Sequence, residues 1–208
     1  SARRIVKTNK NMPIKTEKGI NIPLTIEKPV TTQDLSRHKV VILSPHFSEQ
    51  IYFRSALSIM GQLRFAQNII VPESQSRSLA EIRNDLVRHA LNTDATHFLW
   101  LDGDELFPNH LTPQLLKHNK DIVGGWTVIR QEHIPNVYKM VSEYKHEPYM
   151  GEGVEKVDRL GFGSVLIKRE VFERLHEPWF YFDEHHTTED LYFCDKAREN
   201  GYEIFVDF

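Results

Sequence analysis

The sequence predicts an α/β domain with a mostly parallel central sheet flanked by helices. Apolar runs at 39–45, 68–73 and 97–102 have the length and composition of buried parallel strands. The segments between these runs carry apolar residues at helical spacing. A regular strand–helix–strand–helix–strand order is typical of doubly wound α/β proteins.

The first half of this domain can be divided into elements in order. After the strand at 39–45, residues 48–64 are expected to form a helix, and a second strand follows at 68–73. Ser78 and Glu81 have capping-box spacing at the start of the next helix, in which Leu79, Ile82 and Leu86 form one apolar stripe. The third strand is 97–102, followed by a short helix at 110–119 and a fourth strand at 121–129.

The second half is less regular. Prolines and glycines interrupt 131–158, which predicts loops and short antiparallel strands. A glycine turn then enters a buried strand at 160–168, and a short helix follows it. A last helix is expected from 187 to about 200, with Gly201 at its C-terminus, before a closing strand at 203–208.

Residues 1–38 are expected to form an N-terminal extension to the domain at 39–208. This segment is basic, and its residues 20–26 alternate apolar and polar as in a half-buried strand. Pro23 restricts such a strand to an edge or a bulge. The segment is interpreted as an arm packed on the domain or on a second subunit, which makes a homo-oligomer plausible. A basic patch for an anionic acceptor or nucleic acid is the alternative.

Composition and charge argue against several classes of function. The 208 residues carry a formal net charge of −3, which argues against a protein whose main task is to bind nucleic acid. No apolar run approaches the roughly 20 residues of a membrane span, and the N-terminus lacks the hydrophobic core of a signal peptide. Cys194 is the single cysteine and is expected in the core. A cytoplasmic enzyme is consistent with these features.

An acidic cluster follows the third strand. Asp102, Gly103 and Asp104 stand where ligands bind in open α/β sheets, at the carboxyl end of a strand. The ends of the two preceding strands, at Pro45 and Glu73, should lie beside them. Two carboxylates separated by one glycine suit Mg²⁺ or Mn²⁺ with a substrate phosphate. A solvent-exposed Asp-Gly turn is the alternative interpretation.

Residues 78–105 resemble the nucleotide-sugar-binding core of GT-A glycosyltransferases, in particular family-2-like ones. The matching positions are Arg83, Asn84, Ala90, Asp102 and Asp104. The first strand, the stretch LGFGSVLIKREVFERL and the stretch TEDLYFCDKARENGYEIFVD also resemble this family, so the similarity spans about 39–208.

The resemblance implies roles for these residues. Asp104 would bind the divalent ion, and Asp102 would contact the ribose or the ion. Arg83 and Asn84 would lie close to the nucleotide. From the residues alone, Arg83 could equally be a surface arginine beside Glu81 or Asp85, and Asn84 a local hydrogen-bonding residue.

The resemblance also implies a general base at the start of the last helix, in an inverting transfer. Asp190 is the preferred candidate and Glu189 the second. Acidic residues are also favoured in the first turn of any helix, without catalysis.

One position of the family pattern has no match. These enzymes often supply a metal-binding histidine beyond the closing strand, where this sequence ends at Phe208. Three explanations stay open: the sequence is truncated, another group substitutes, or metal binding is weak. His185 or His186 is the candidate substitute as third ligand.

The sequence thus predicts a metal-dependent glycosyltransferase that takes its sugar from a nucleotide-sugar donor. A sugar nucleotidyltransferase of similar fold is one alternative, but its glycine-rich basic signature is missing after the first strand. A catalytically silent binding or assembly module is the other alternative. The donor base, the sugar and the acceptor are not specified by the sequence.

Overall fold

The computed structural model describes residues 14–15, 21–22, 38–46, 51–72, 78–129, 134–142, 145–184 and 188–208. In the N-terminal extension, strand β1 (Ile14–Lys15) pairs antiparallel with β2 (Asn21–Ile22). The remainder of the predicted arm, including Pro23, lies outside the described residues.

A seven-stranded sheet forms the centre of the domain. Its strands, in spatial order, are β11 (Val154–Val157), β14 (Ile204–Asp207), β6 (Ile122–Gly125), β13 (Ser164–Lys168), β5 (His97–Leu101), β3 (Val40–Leu43) and β4 (Asn68–Ile70). Strands β3, β4, β5, β6 and β14 run in one direction, and β11 and β13 run in the other. The sheet is therefore mixed but mostly parallel.

The predicted fourth strand, β6, does not lie beside the third predicted strand, β5, as their order in the sequence suggests. Strand β13 separates β5 from β6 and pairs antiparallel with both. The apolar run at 121–129 is also split, because β6 ends at Gly125 and β7 (Val128–Ile129) leaves the sheet to pair with β8 (Ile134–Pro135). Periodicity along one segment carries no information on which distant strand will be inserted beside it.

The expected short antiparallel strands form a second sheet. It consists of β10 (Lys145–Pro148), β9 (Val137–Ser142) and β12 (Arg159–Leu160), with β9 in the middle.

Helices cover both faces of the central sheet. Side chains of α2 (Leu79–Leu91), α4 (Arg169–Arg174) and α5 (Glu189–Glu199) pack with one buried cluster, which contains Phe98 and Trp100 of β5. Helices α1 (Phe53–Gln62) and α3 (Leu111–Lys117) pack with a second cluster, which contains Leu99 and Leu101. Successive side chains of β5 point to opposite faces of the sheet, so this strand contributes to both buried clusters.

Two helix ends follow their sequence signals. Ser78 accepts a hydrogen bond from the Glu81 backbone N–H, and the Glu81 carboxylate accepts one from the Ser78 N–H, which completes the predicted capping box. Gly201 follows α5 with a φ of 86°, a conformation that glycine adopts without strain. Helix α1 is shorter than the predicted 48–64 and is followed by a 3₁₀ turn at Leu63–Phe65.

No helix in the described part of the chain is long and apolar enough to cross a membrane.

Candidate functional site at the carboxyl edge of the sheet

Arg83 lies at the centre of the predicted site, where the structure joins three elements. Its Nε donates to Glu189 Oε1 over 2.8 Å, and its Nη2 donates to Asp102 Oδ1 over 3.3 Å. Only 2% of the Arg83 side chain is exposed. The surface pairing with Glu81 or Asp85 considered from the sequence is therefore wrong, and Arg83 connects α2 to the end of β5 and the start of α5.

Aromatic rings surround the Arg83 guanidinium. Its Cζ lies 5.2 Å from the ring centre of Trp100, 5.4 Å from that of Phe162 and 5.8 Å from that of Phe180. Ring faces stabilise a guanidinium by cation–π attraction, more strongly where water is excluded. The roles of Phe162 and Phe180 could not be predicted from the sequence, although the apolar stretches that contain them were evident.

The buried charges shift one another's pKa values. Burial raises the pKa of Asp102 to about 7, with Asp104 adding to the shift and Arg83 opposing it. Burial likewise raises the pKa of Glu189, against the attraction of Arg83. Burial disfavours the charged form of Arg83, but Asp102, Glu189 and Asp190 outweigh it and raise its pKa. Burial thus favours the neutral forms of Asp102 and Glu189, while Arg83 favours their charged forms.

Asp190 occupies the first turn of α5 beside Glu189. Its Oδ2 accepts from the Phe162 N–H over 3.3 Å, and its Oδ1 accepts from the Leu191 N–H over 2.8 Å. The Thr188 hydroxyl donates to the same Oδ1. These donors orient the carboxylate of Asp190, while Glu189 is held by Arg83.

The Asn84 side chain forms hydrogen bonds with the segment that precedes α5. Its Oδ1 accepts from the Trp179 and Phe180 N–H groups, and its Nδ2 donates to the Phe180 carbonyl. This arrangement agrees with the local hydrogen-bonding role considered from the sequence. Asn84 fixes Phe180 against Arg83, so it supports the ion cluster.

The acidic loop turns sharply at the end of β5. The Glu105 N–H donates to the Asp102 carbonyl, and the Asp102 N–H donates to the Gly163 carbonyl. A Cβ added to Gly103 would lie 3.4 Å from Ile51 Cδ1 and 3.9 Å from His46 Cβ. The loop therefore packs against the chain that follows β3, where Pro45 is buried. Asp104 is exposed, whereas Glu73, His185 and His186 lie outside the described residues.

Several buried polar atoms near this edge have no hydrogen-bond partner in the described part of the chain. They are Ser44 Oγ, His46 Nδ1, Arg83 Nη1 and Trp100 Nε1. Buried polar groups in proteins are nearly always satisfied by protein, water or ligand. Ser44 and His46 follow β3, Trp100 is near the end of β5, and Arg83 of α2 packs on Trp100, so this edge is suitable for a polar ligand.

A cavity of about 400 Å³ opens beside the acidic loop, on the α3 side of the sheet. Its lining includes Glu105, Trp126, Gln114 and Asp207. Gln114 Nε2 donates to Asp207 Oδ2 over 2.7 Å, and His118 Nε2 lies 2.8 Å from the same oxygen. Trp126 is 42% exposed, so its ring is open to a ligand.

The glycines of the predicted turn have packing roles. A Cβ on Gly161 would lie 1.8 Å from Asn136 Nδ2, and one on Gly163 would lie 2.8 Å from Thr127 Cγ2. Both glycines therefore leave room for neighbouring side chains. The core position expected for Cys194 is confirmed, and Trp100 and Trp179 are buried as well.

The described residues could hold a metal ion only together with a substrate phosphate and water, which would complete its shell of ligands. No group of three potential ligand side chains converges within the described residues. Mg²⁺ is commonly bound through one or two carboxylates, with substrate phosphates and water completing its shell. The Asp102–Gly103–Asp104 loop, with its closely approached glycine, can supply that number of carboxylates.

Comparison with known proteins supports the fold. No protein-family description matches the sequence, and no curated protein is similar to it. Among solved structures, the chain is similar to A197 from STIV, with a TM-score of 0.61 and 17% identity over 81% of each chain. It is also similar to the inositol-1-phosphate CTP transferase from T. maritima, with a TM-score of 0.45 and 14% identity over 82% of this chain and 89% of that one.

The similarity to A197 shows a shared mixed α/β fold. At 17% identity it carries no information on the reaction. The second similarity is too low to support a conclusion about this chain.

Proposed function

We propose that this protein is a GT-A-type glycosyltransferase that transfers a sugar from a nucleotide-sugar donor. The observation that carries the proposal is the acidic loop at the carboxyl edge of the sheet, joined by buried Arg83 to the first turn of α5. That edge is where open α/β sheets bind their ligands.

The acidic loop would hold the donor. Asp104 and Asp102 would bind Mn²⁺ or Mg²⁺, which neutralises the negative charge developing on a nucleoside diphosphate leaving group. Arg83 holds Asp102 on one side through Nη2. The unpartnered Nη1 of Arg83 and Nδ1 of His46 would donate to polar atoms of the donor.

The start of α5 would receive the proton. Glu189 is paired with Arg83, which leaves Asp190 as the preferred general base for the acceptor hydroxyl. Backbone N–H groups fix the Asp190 carboxylate, as required of a base that must meet its proton within hydrogen-bond reach. Such a base gives a single displacement with inversion.

The cavity beside the loop would accommodate a sugar unit. Exposed Trp126 offers a ring face, and Glu105 and Asp207 offer carboxylates for hydroxyl groups. Pockets with an apolar wall and a few placed polar groups are typical of small-ligand sites.

The proposal is tested by thermal unfolding with UDP-, GDP- and ADP-sugars, each with and without Mn²⁺. A donor present at about a hundred times its Kd should stabilise the fold by about 2.7 kcal/mol. Release of nucleoside diphosphate distinguishes a transferase from a silent binding module. Nucleoside triphosphates with sugar phosphates are the parallel test for a nucleotidyltransferase. If no nucleotide stabilises the protein with metal, the proposal is wrong.

Asp104→Asn is expected to abolish metal-dependent nucleotide binding and to leave the fold intact, because Asp104 is exposed. The matched control is Asp94→Asn, an exposed aspartate just before β5, at the opposite edge of the sheet. Nucleotide titration monitored by unfolding temperature measures both variants. Unchanged binding by Asp104→Asn would exclude the metal role of Asp104.

A further inference from the structure

Thr188 stands immediately before α5 and forms an unusual hydrogen bond for that position. A threonine at the start of a helix usually accepts a hydrogen bond from a backbone N–H of the first turn through its hydroxyl oxygen. Thr188 forms no such bond, and its hydroxyl instead donates to Asp190 Oδ1. Within the described residues, the hydroxyl oxygen accepts no hydrogen bond. Because Thr188 is exposed, its oxygen lone pairs are accessible to a ligand.

The carboxylate of Asp190 is less accessible than the Thr188 hydroxyl. Asp190 is only 9% exposed. Its Oδ1 accepts from the Leu191 N–H and the Thr188 hydroxyl, and its Oδ2 accepts from the Phe162 N–H. Three of the roughly four lone-pair sites of the carboxylate are therefore occupied. Of these three donors only the hydroxyl can pass its proton on during a reaction, because a backbone amide keeps its own.

The Thr188–Asp190 pair lies beside the ion cluster of the candidate site. Phe162, whose N–H binds Asp190, places its ring centre 5.4 Å from Cζ of Arg83. The next residue, Gly163, accepts a hydrogen bond from the Asp102 N–H. This short stretch of backbone therefore connects the Asp190 carboxylate to the acidic loop, and a donor bound at that loop would lie close to the start of α5.

We propose that the Thr188 hydroxyl relays the proton of the acceptor to Asp190. The acceptor hydroxyl would donate a hydrogen bond to the Thr188 oxygen, whose own hydroxyl donates to Asp190 Oδ1. As the acceptor oxygen bonds to the anomeric carbon, its proton moves to Thr188, and the proton of Thr188 moves to Asp190. The electron pair of the broken anomeric bond leaves with the nucleoside diphosphate. This inference rests on the proposed function and assigns a further catalytic residue to it.

Direct transfer of the proton to Asp190 is the competing route. It would use the one lone-pair site of the Asp190 carboxylate that the described residues leave unoccupied. That route requires the acceptor to reach a buried side chain, whereas the relay uses an exposed hydroxyl. The direct route moves one proton in the transition state and the relay moves two, so the two routes can be separated experimentally.

The test measures the release of nucleoside diphosphate in single turnovers. Water serves as the acceptor, and the donor is the nucleotide sugar that stabilises the parent most. Thr188→Val keeps the size of the side chain and removes the hydroxyl, so it should slow release about a hundredfold, the lower end of what positioned proton transfer contributes. Thr188→Ser keeps the hydroxyl and should restore most of the rate. Stabilisation by donor and metal should be unchanged in both variants, because Thr188 is not placed against the nucleotide.

Mixtures of H₂O and D₂O distinguish a relay from a threonine that only orients Asp190. Transfer of two protons in one transition state gives a bowl-shaped dependence of the rate on the deuterium fraction, whereas transfer of one proton gives a straight line. We expect a bowl-shaped dependence for the parent. Thr188→Val should give a straight line, because its residual reaction uses the direct route. A straight line for the parent would overturn the relay.

Thr96→Val is the matched control. Thr96 is also exposed, and its hydroxyl exchanges hydrogen bonds with the Lys39 backbone at the opposite edge of the sheet. This variant should release nucleoside diphosphate at the rate of the parent. The relay is overturned if Thr188→Val is as fast as the parent, or if it loses donor binding together with turnover. A parent that turns over no nucleotide sugar overturns the proposed function, and the relay with it.

Discussion

Arg83 is the residue on which the buried charges of the site depend. Replacing it by methionine, which keeps an unbranched apolar stem, removes the positive charge from between Glu189 and Asp102. Loss of one partner of a buried ion pair typically costs about 3–5 kcal/mol. We expect Arg83→Met to lower the free energy of unfolding by about that amount, measured by urea denaturation at neutral pH.

A double-mutant cycle separates the charge effect from packing. Glu189→Leu in the Arg83→Met background should restore part of the lost stability, because the unpaired carboxylate is gone. Additive losses in the double variant would show that Arg83 acts on the fold through its aromatic contacts instead.

His97, at the start of β5, makes stability dependent on pH. Burial lowers the pKa of His97 to about 4, with His38 and Lys168 adding to the effect. Between pH 6.5 and about 4 the unfolded chain therefore binds a proton that the folded chain excludes, and stability falls as the pH falls. His97→Asn should remove about 2 kcal/mol of the stability change between pH 7.5 and pH 5, measured by urea denaturation at each pH. An identical pH dependence in parent and variant would contradict this assignment.

The sequence singled out Arg83, Asp102 and Glu189, but it did not predict the contacts between them. Arg83 lies off the apolar stripe of α2 that the sequence indicated, so a solvent-exposed position was equally consistent. It is buried because Glu189, 106 positions later, supplies the charge that compensates its desolvation. Helical periodicity describes one element at a time and cannot anticipate that partner.

At the scale of elements, Gly161 sets the approach of β12 to β8 and β9. A Cβ there would lie 1.8 Å from Asn136 Nδ2, and the Gly161 N–H donates to the Asn136 carbonyl. We expect Gly161→Ala to cost about 1–3 kcal/mol of unfolding free energy, as overpacking usually does. Thermal or urea unfolding measures the loss.

Gly61→Ala is the control for that substitution. Gly61 lies within α1, and the nearest atom to an added Cβ is 3.6 Å away, an ordinary contact. Alanine there should leave stability unchanged or raise it by up to about 1 kcal/mol, because glycine weakens helices. Equal losses from the two alanines would show that the Asn136 contact is unimportant.

The elements predicted best are those whose sequence signals lie within a few residues of the element's end. The capping box at Ser78 and the glycine after α5 depend on residues within a few positions, and both were confirmed. The run at 121–129 was read as a single strand, but β6 ends at Gly125. After the interruption β7 pairs with β8, the next strand along the chain, outside the central sheet, and the apolar composition of the run did not indicate this change of partner.

For the whole molecule, the order of strands predicts which hydrogen bonds open last. Strands β5 and β13 have neighbours on both sides, and their side chains enter both cores. Strands β4 and β11 are at the edges of the sheet. Native-state hydrogen exchange followed by mass spectrometry should find β5 and β13 slowest, because their exposure requires global unfolding. Faster exchange in β5 than in β4 would contradict a single cooperative domain.

The fold class could be predicted because consecutive strand–helix units leave few arrangements. The insertion of β13 between β5 and β6 could not, since its pairing joins residues such as Leu99 and Leu166 that are far apart in the sequence. The site depends on that insertion. Gly163, just before β13, accepts the hydrogen bond that holds Asp102.

Arg83 pairs with both Asp102 and Glu189, so binding at the acidic loop and the ionisation of Glu189 are thermodynamically linked. A ligand that draws Asp102 away from Arg83 strengthens the ion pair between Arg83 and Glu189. Ligand binding at the acidic loop therefore changes the ionisation of Glu189, and the ionisation of Glu189 changes ligand affinity by the same free energy. We expect Glu189→Gln to change nucleotide affinity although Glu189 is not placed against the nucleotide, and calorimetric titration of that variant measures the coupling.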